Sequence, residues 1–68
     1  MEKATVHSDQ GMFVNLRGDE DVSSLIIERI PVDAVVVVAK QGEQWSKIKF
    51  KKKTGFVMNH FLVFGKEE

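Results

Sequence analysis

The sequence predicts a small all-β barrel, and three observations lead to that prediction. Turn-forming residues recur at short, even intervals along the 68 residues. Between them lie short runs rich in Val, Ile, Phe and Thr, the residues that strands favour. One of these runs also alternates between apolar and polar residues with the period of two that a half-buried strand shows. We therefore expect five to seven short strands.

Clusters of turn-forming residues divide the chain at Ser8–Gly11, Arg17–Asp21, Pro31–Asp33, Gln41–Glu43 and Lys51–Gly55. Such clusters of Gly, Pro, Asp and Ser mark loops because these residues adopt or stabilise turn conformations. The segments beside them predict seven strands, at Thr5–His7, Phe13–Leu16, Leu25–Ile30, Ala34–Lys40, Gln44–Phe50, Gly55–Met58 and Leu62–Phe64.

The run from Ala34 to Ala39 is apolar throughout and contains four consecutive valines. Valine loses side-chain rotamer freedom in a helix, so the run favours a strand. Because it does not alternate, we expect a strand that is buried on both faces or bent across a barrel corner.

The next strand alternates clearly. Ser46, Ile48 and Phe50 fall on one side, and Ile48 and Phe50 should enter the core. Trp45 falls on the other side with Lys47, Lys49 and Lys51. A large aromatic residue among lysines is either covered by a loop or available to a ligand.

Length and composition narrow the functional classes. The chain forms one predicted domain, residues 1–68, with its core at about residues 4–64 and a tail at residues 65–68. The absence of cysteine excludes disulfides and thiolate metal sites. Ten basic residues balance ten acidic ones, which makes a dedicated nucleic-acid binder an unfavoured interpretation. No apolar run is long enough to span a membrane, and no signal peptide is recognisable.

Several short motifs occur in an order that resembles the bacterial SH3-like (SH3b) family. Val14–Arg17 is similar to the family's apolar-Asn-apolar-Arg strand, and Ser24–Pro31 is similar to its Ser-led apolar strand. Gly42–Ile48 is similar to the family's Gly-x-x-Trp-x-Lys-apolar segment. Thr54–Val57 matches its Thr-Gly-aromatic-Val turn, and Phe61–Leu62 matches its closing aromatic-Leu pair. The resemblance covers almost the whole chain, from Ala4 to Val63, and rests on order and spacing.

The chain departs from the family pattern at two points. Asp33 stands where the family prefers Gly, and the chain has no Tyr. Phe56 and Phe61 replace the usual tyrosines, so a ligand site built on tyrosine hydroxyls is excluded. The resemblance implies a small SH3-like barrel and an accessory binding module of the cell envelope or the extracellular space. Such a module would be part of a longer envelope or phage protein and would target peptidoglycan or its peptide.

Trp45, Met58 and Phe61 are the candidate ligand groove, since the topology of SH3 barrels would bring them together. Aromatic grooves bind extended peptides through the faces of their rings. Trp45 could instead pack beneath the Asp19–Ser24 loop, and Phe61 could fill the core. The acidic residues Asp19 and Asp21 could attract a cationic ligand such as a peptide amine, or could serve as a solvated polar loop.

A basic stripe of Lys47, Lys49 and Lys51, continued by Lys52 and Lys53, would accompany Trp45. Such residues can hold single-stranded nucleic acid or anionic wall polymers, but outward lysines also protect sheet edges. Asn15, Arg17 and Gly55 are expected to be structural. Asn15 would bond nearby backbone, and Arg17 would pair with an acidic residue of its own loop.

The motifs of catalysis are missing from the sequence. His7 and His60 lie far apart, and the chain has no metal-ligand spacing and no Gly-rich phosphate loop. We therefore expect a non-catalytic protein without metal or cofactor. The leading function is binding of cell-wall peptide. The alternatives are a structural or protein–protein interaction module, and weak nucleic-acid binding through the Lys47–Lys53 stripe.

Overall fold

Seven short strands build the molecule. The computed structural model describes residues 2–9 and 11–65. The strands are β1 (Glu2–Val6), β2 (Phe13–Arg17), β3 (Ile26–Pro31), β4 (Val35–Gln41), β5 (Trp45–Phe50), β6 (Lys53–Met58) and β7 (Leu62–Phe64), with a single 3-10 turn, Asn59–Phe61, before β7. Each predicted strand corresponds to one of these, and Leu62–Phe64 matches at both ends. Of the predicted tail at residues 65–68, residues 66–68 lie outside the described residues.

The strands form one antiparallel sheet in the order β3-β2-β6-β5-β4-β1-β7. Every strand contributes at least one buried apolar side chain to a single core, which contains Ala4, Val6, Val14, Leu16, Ile30, Val36, Val38, Ile48, Val57 and Leu62. A single sheet can surround one core in this way only if it curls. The predicted fold class, a small all-β barrel of five to seven strands, is therefore confirmed, with seven strands.

β1 begins three residues earlier than predicted and ends one residue earlier. Glu2 to Thr5 pair in register with Val38 to Val35 of β4. The polar start of β1 is therefore held by backbone pairing, which the composition of that segment does not reveal.

β4 corrects one expectation about the valine run. Val36 and Val38 are buried, whereas Val35 is 61% exposed. Burial on both faces is therefore wrong. The register with β5 shifts between Val38 and Lys40, which places a β-bulge at Ala39. A bulge bends its strand, so the second expectation, a bent strand, describes β4 better.

β5 has the predicted alternation. Ser46 and Ile48 are buried, at 1% and 0% exposure, and Phe50 packs against the core. Trp45 and Lys47 therefore lie on the outer face, where they pair with Met58 and Phe56 of β6. The next outward position is Lys49, opposite Thr54.

β2 and β6 approach each other closely at Gly55. Arg17 and Phe56 are the one pair of residues in register between these strands. A Cβ atom on Gly55 would lie 2.5 Å from the Arg17 carbonyl oxygen and 2.9 Å from the Leu16 side chain. Only glycine, which has no Cβ atom, allows this contact, and this explains a structural role for Gly55.

The β5–β6 hairpin turns on two lysines. Lys51 and Lys52 have φ angles of 51° and 69°, and the flanking residues Phe50 and Lys53 are paired. Positive φ at both central residues is the pattern of a type I′ turn, which favours Asn-Gly. The turn is therefore shorter than the predicted Lys51–Gly55 segment, and Lys53 to Gly55 belong to β6.

Asp33 occupies another position that favours glycine. Its φ is 77°, and the Ala34 N–H donates to the Pro31 carbonyl oxygen at 3.1 Å, closing a four-residue turn. Positive φ at the third position of such a turn explains why glycine suits this site. Asp adopts the conformation more readily than most residues.

Gly55→Ala should destabilise the protein by about 1–3 kcal/mol, because the new methyl group would push β2 away from β6. Urea unfolding followed by circular dichroism measures this loss. Gly65→Ala is the matched control, since a Cβ there meets nothing within 4 Å. Equal stability of the two variants would contradict the close approach.

Lys52→Gly should stabilise the protein by roughly 0.5–1 kcal/mol, because glycine adopts positive φ without the steric cost that lysine bears. Lys52→Gln removes the same charge but keeps a side chain, so it should leave the unfolding midpoint unchanged. If both variants shift the midpoint equally, charge and not backbone conformation controls this turn.

Candidate functional site

Trp45 lies at the start of β5 on the outer face of the barrel. Its side chain is half-buried, and Met58 faces it across the β5–β6 pair. Residues directly opposite in an antiparallel pair have Cβ atoms about 4.5–5.5 Å apart, so the two predicted groove residues are neighbours. Trp45 borders an open groove of about 260 Å³, which we call the Trp45 groove; it is lined by Glu20, Lys40, Gly42, Trp45, Lys47 and Phe56.

A second hollow continues the surface on the other side of Trp45. It has a volume of about 410 Å³ and is lined by Glu20, Gly42, Glu43, Gln44 and Trp45. Lys40 and Lys47 therefore lie beside Trp45 in the first groove, Glu43 lies beside it in the second, and Glu20 lines both. Both charges lie beside one aromatic surface.

Asn59 holds this region together, a role that the sequence did not suggest. Its side-chain oxygen accepts a hydrogen bond from the Ser46 hydroxyl at 2.5 Å, and its side-chain nitrogen donates to the Gly42 carbonyl at 2.8 Å. Its backbone N–H donates to the Gln44 carbonyl at 2.8 Å. These three bonds tie the 3-10 turn to the β4–β5 turn, which carries Trp45 at its end.

Gly42 shapes the same turn. Its N–H donates to the Trp45 carbonyl oxygen at 3.1 Å. A Cβ atom at this position would lie 2.5 Å from that oxygen. The turn therefore needs glycine here to bring β4 close to the first residue of β5.

The loop between β2 and β3 approaches the groove through Glu20. Arg17 Nη1 donates to the Ser24 carbonyl at 3.0 Å, which closes the base of the loop. Its hydrogen-bond partner is thus a backbone carbonyl and not the acidic side chain that was expected. The loop does not cover Trp45 completely, because the indole keeps part of its surface exposed.

Asp19 and Asp21 stabilise the loop internally. Asp19 Oδ1 accepts from the Glu20 N–H at 2.8 Å. Asp21 Oδ1 accepts from the N–H and hydroxyl of Ser23, and these bonds, with the charge of Arg17, lower the pKa of Asp21 below its usual range. Both residues were candidate ligand contacts, but the loop acid that lines the Trp45 groove is Glu20.

Phe61 lies apart from Trp45 and Met58. It packs against the core, and its ring makes an edge contact with His60 at 4.4 Å between centroids. It lines a different groove, of about 380 Å³, with His7, Ser8, Asp9 and His60. Met58, although it is paired with Trp45 in the sheet, lines a further hollow with Glu43, Gln44, Asn59 and His60. The expected convergence of Trp45, Met58 and Phe61 on one groove is therefore wrong, and only the register contact between Trp45 and Met58 remains.

The five lysines expected to form one stripe lie in three different places. Lys47 and Lys49 lie on the outer face of β5, whereas Lys51 and Lys52 form the hairpin turn. Lys53 Nζ pairs with Glu28 Oε1 at 2.8 Å, and this hydrogen bond and charge lower the pKa of Glu28. Lys47 instead has Lys40 as its cross-strand neighbour in β4. Only the β-bulge in β4 reveals this pairing.

Asn15 occupies the outer face of β2, opposite Arg29 of β3. Its Oδ1 is buried and has no hydrogen-bond partner among the described residues. The expected bond from this residue to nearby backbone is therefore not made by that oxygen. An unpaired buried oxygen is costly, and nothing in the structure explains why Asn occupies this position.

The groove lined by His7, Ser8, Asp9, His60 and Phe61 has polar contacts between residues that are close in sequence. His7 Nε2 and Asp9 Oδ1 are 3.1 Å apart on the surface, and the Ser8 hydroxyl accepts from the Gly11 N–H at 3.1 Å. Within residues 2–9 and 11–65, no three His, Asp or Glu side chains are arranged to hold a metal ion. The described part of the chain also contains no helix with the length and hydropathy needed to cross a membrane.

No protein-family model matches the chain, and no curated protein sequence matches it.

Asn59→Ala should destabilise the protein by about 1–3 kcal/mol, because the buried Ser46 hydroxyl would lose its partner. It should also shift Trp45 emission to longer wavelength as the β4–β5 turn loosens. Urea unfolding and fluorescence spectra measure both effects.

His60→Ala is the control for Asn59→Ala, since it changes an exposed neighbour in the same 3-10 turn. Ser46→Ala should recover part of the loss when it is combined with Asn59→Ala. Additive losses in the double variant would show that the two side chains are not coupled.

Proposed function

We propose that this chain is a non-catalytic binding module whose Trp45 groove holds extended cell-wall peptide, as part of a larger envelope or phage protein. The observation that supports it best is the half-buried Trp45 beside an open groove with charged residues on both sides. The similarity of its motifs to those of SH3b domains supports the same class of role and a location in the envelope or outside the cell.

The shape of the groove favours an extended ligand. Pockets that enclose a small molecule measure about 300–1,000 Å³, and the Trp45 groove, at about 260 Å³, is smaller and open. Such a groove accommodates part of a chain that continues across the surface. Trp45 and Phe56 line the groove and would supply apolar contact to that chain. Tryptophan is a frequent energetic centre of interfaces.

The surroundings of Trp45 favour a binding role over catalysis. The side chains there are lysines, glutamates and aromatic residues, a combination that suits the contacts of a peptide. The Ser46 hydroxyl, the nearest hydroxyl nucleophile in sequence, is buried and donates to Asn59. Neither histidine, the residue used most often as a general base, lines the groove.

A second candidate, a protein–protein interaction module, is favoured by a separate apolar patch. Val35 and Val63, 61% and 55% exposed, both pair with Thr5 across β4, β1 and β7. Exposed apolar residues in a row on one sheet face suit a protein partner. Sedimentation that depends on protein concentration would favour this alternative.

Trp45→Ala should weaken binding to purified peptidoglycan by at least about 2 kcal/mol, or roughly 30-fold, if the indole is the centre of the ligand site. Pull-down with peptidoglycan measures the loss. In the unaltered protein, added muropeptides should shift the Trp45 emission maximum and protect the indole from quenching. Trp45 is the only tryptophan in the chain, so the emission reports on this residue alone.

Phe13→Ala is the matched control, because Phe13 is an exposed aromatic residue that does not line the Trp45 groove. It should bind as the unaltered protein does. If peptidoglycan fails to retain the unaltered protein and muropeptides leave Trp45 emission unchanged, the proposed function is wrong.

A further inference from the structure

Two lysines face each other in the Trp45 groove. Lys40 of β4 and Lys47 of β5 are directly paired in the sheet register, and both line the groove. Like charges directly opposite in an antiparallel pair destabilise the sheet. Both side chains are exposed, and neither makes an ion pair with a described residue. The candidate site therefore carries two like-charged side chains on directly opposed residues, and neither is paired with a described carboxylate.

The β-bulge creates this pairing. Val38 faces the core, so uninterrupted alternation would point Lys40 toward the core as well, opposite Ser46. The extra residue, Ala39, shifts the register and aligns Lys40 with Lys47 on the outer face. Bulges often redirect a side chain beside a functional site.

We infer that Lys40 and Lys47 form a carboxylate subsite in the Trp45 groove, and that the ligand is a peptide with a free C-terminal carboxylate. The inference rests on the proposed function and specifies its ligand. Two ammonium groups on one side of an aromatic ring suit an anion that carries two acceptor oxygens. The ligand's charge would also relieve the repulsion between the two lysines.

The charge of the rest of the surface favours a peptide over a polyanion. Glu20 lines the Trp45 groove beside the lysines, and Glu43 joins it in the adjoining hollow. A polymer with a phosphate at every repeat would bring negative charge close to these carboxylates. A peptide has one C-terminal carboxylate for the lysines and can direct its cationic groups to Glu20 and Glu43.

The test compares one wall stem pentapeptide in two forms, with a free C-terminal carboxylate and as the C-terminal amide. Titrations follow Trp45 emission. The unaltered protein should bind the free acid roughly fivefold to tenfold more tightly than the amide. Lys40→Gln and Lys47→Gln should each reduce that preference to about twofold or less, while the urea midpoint rises or stays constant because the like charges are gone.

Lys49→Gln is the matched control. Lys49 lies two residues from Lys47 on the same face of β5, but its cross-strand neighbours are Val37 and Thr54, and it does not line the groove. This variant should keep the full preference for the free acid. Loss of the preference in Lys40→Gln and Lys47→Gln but not in Lys49→Gln supports the subsite.

Three outcomes would overturn the inference. Equal binding of acid and amide by the unaltered protein removes the carboxylate subsite and leaves the proposed function in place. Binding of neither form removes the carboxylate subsite, and it removes the proposed function as well if purified peptidoglycan also fails to retain the unaltered protein. Tighter binding of a 15-residue thymidine oligonucleotide, with steep salt dependence and equal losses in all three lysine variants, would identify a polyanion surface instead.

Discussion

The close approach of β2 to β6 over Gly55 is the constraint on which the other features depend. In the sheet, the β2–β3 hairpin is paired with the remaining five strands at this contact, with Arg17 and Phe56 as the registered pair. The missing Cβ of Gly55 lets the Arg17 carbonyl sit where a methyl group would be. Arg17 also donates a hydrogen bond to the Ser24 carbonyl and thereby closes the base of the β2–β3 loop. Glu20 belongs to this loop and lines the groove beside Trp45.

The candidate site lies where three departures from regular strand structure meet. The bulge at Ala39 turns Lys40 outward, the glycine turn at Gly42 brings β4 to Trp45, and the 3-10 turn supplies Asn59. None of these irregular residues belongs to the core, which the alternating apolar residues of the seven strands fill. Irregular backbone at the ends of rigid strands is a common way to present binding residues.

Alternation and turn composition were sufficient to predict the strands and the orientation of β5, because both depend on neighbouring residues. Ile48 inside and Trp45 outside follow directly from the period of two. The site was less predictable because its contacts join distant segments. Asn59 meets Ser46 across 13 positions, and Lys53 leaves the expected stripe because Glu28 lies across the barrel. Lys40 was missed because a bulge of one alanine leaves no pattern in the sequence.

The overall neutrality of the chain, which argued against a dedicated nucleic-acid binder, conceals local groups of charge around Trp45. Lys40 and Lys47 line the Trp45 groove together with Glu20, while Glu43 lies in the adjoining hollow. Neither lysine makes an ion pair with a described carboxylate. Charges of both signs around a half-buried aromatic ring favour a ligand that carries both signs along its length. Peptides with free ends have that property, and uniformly charged polymers do not.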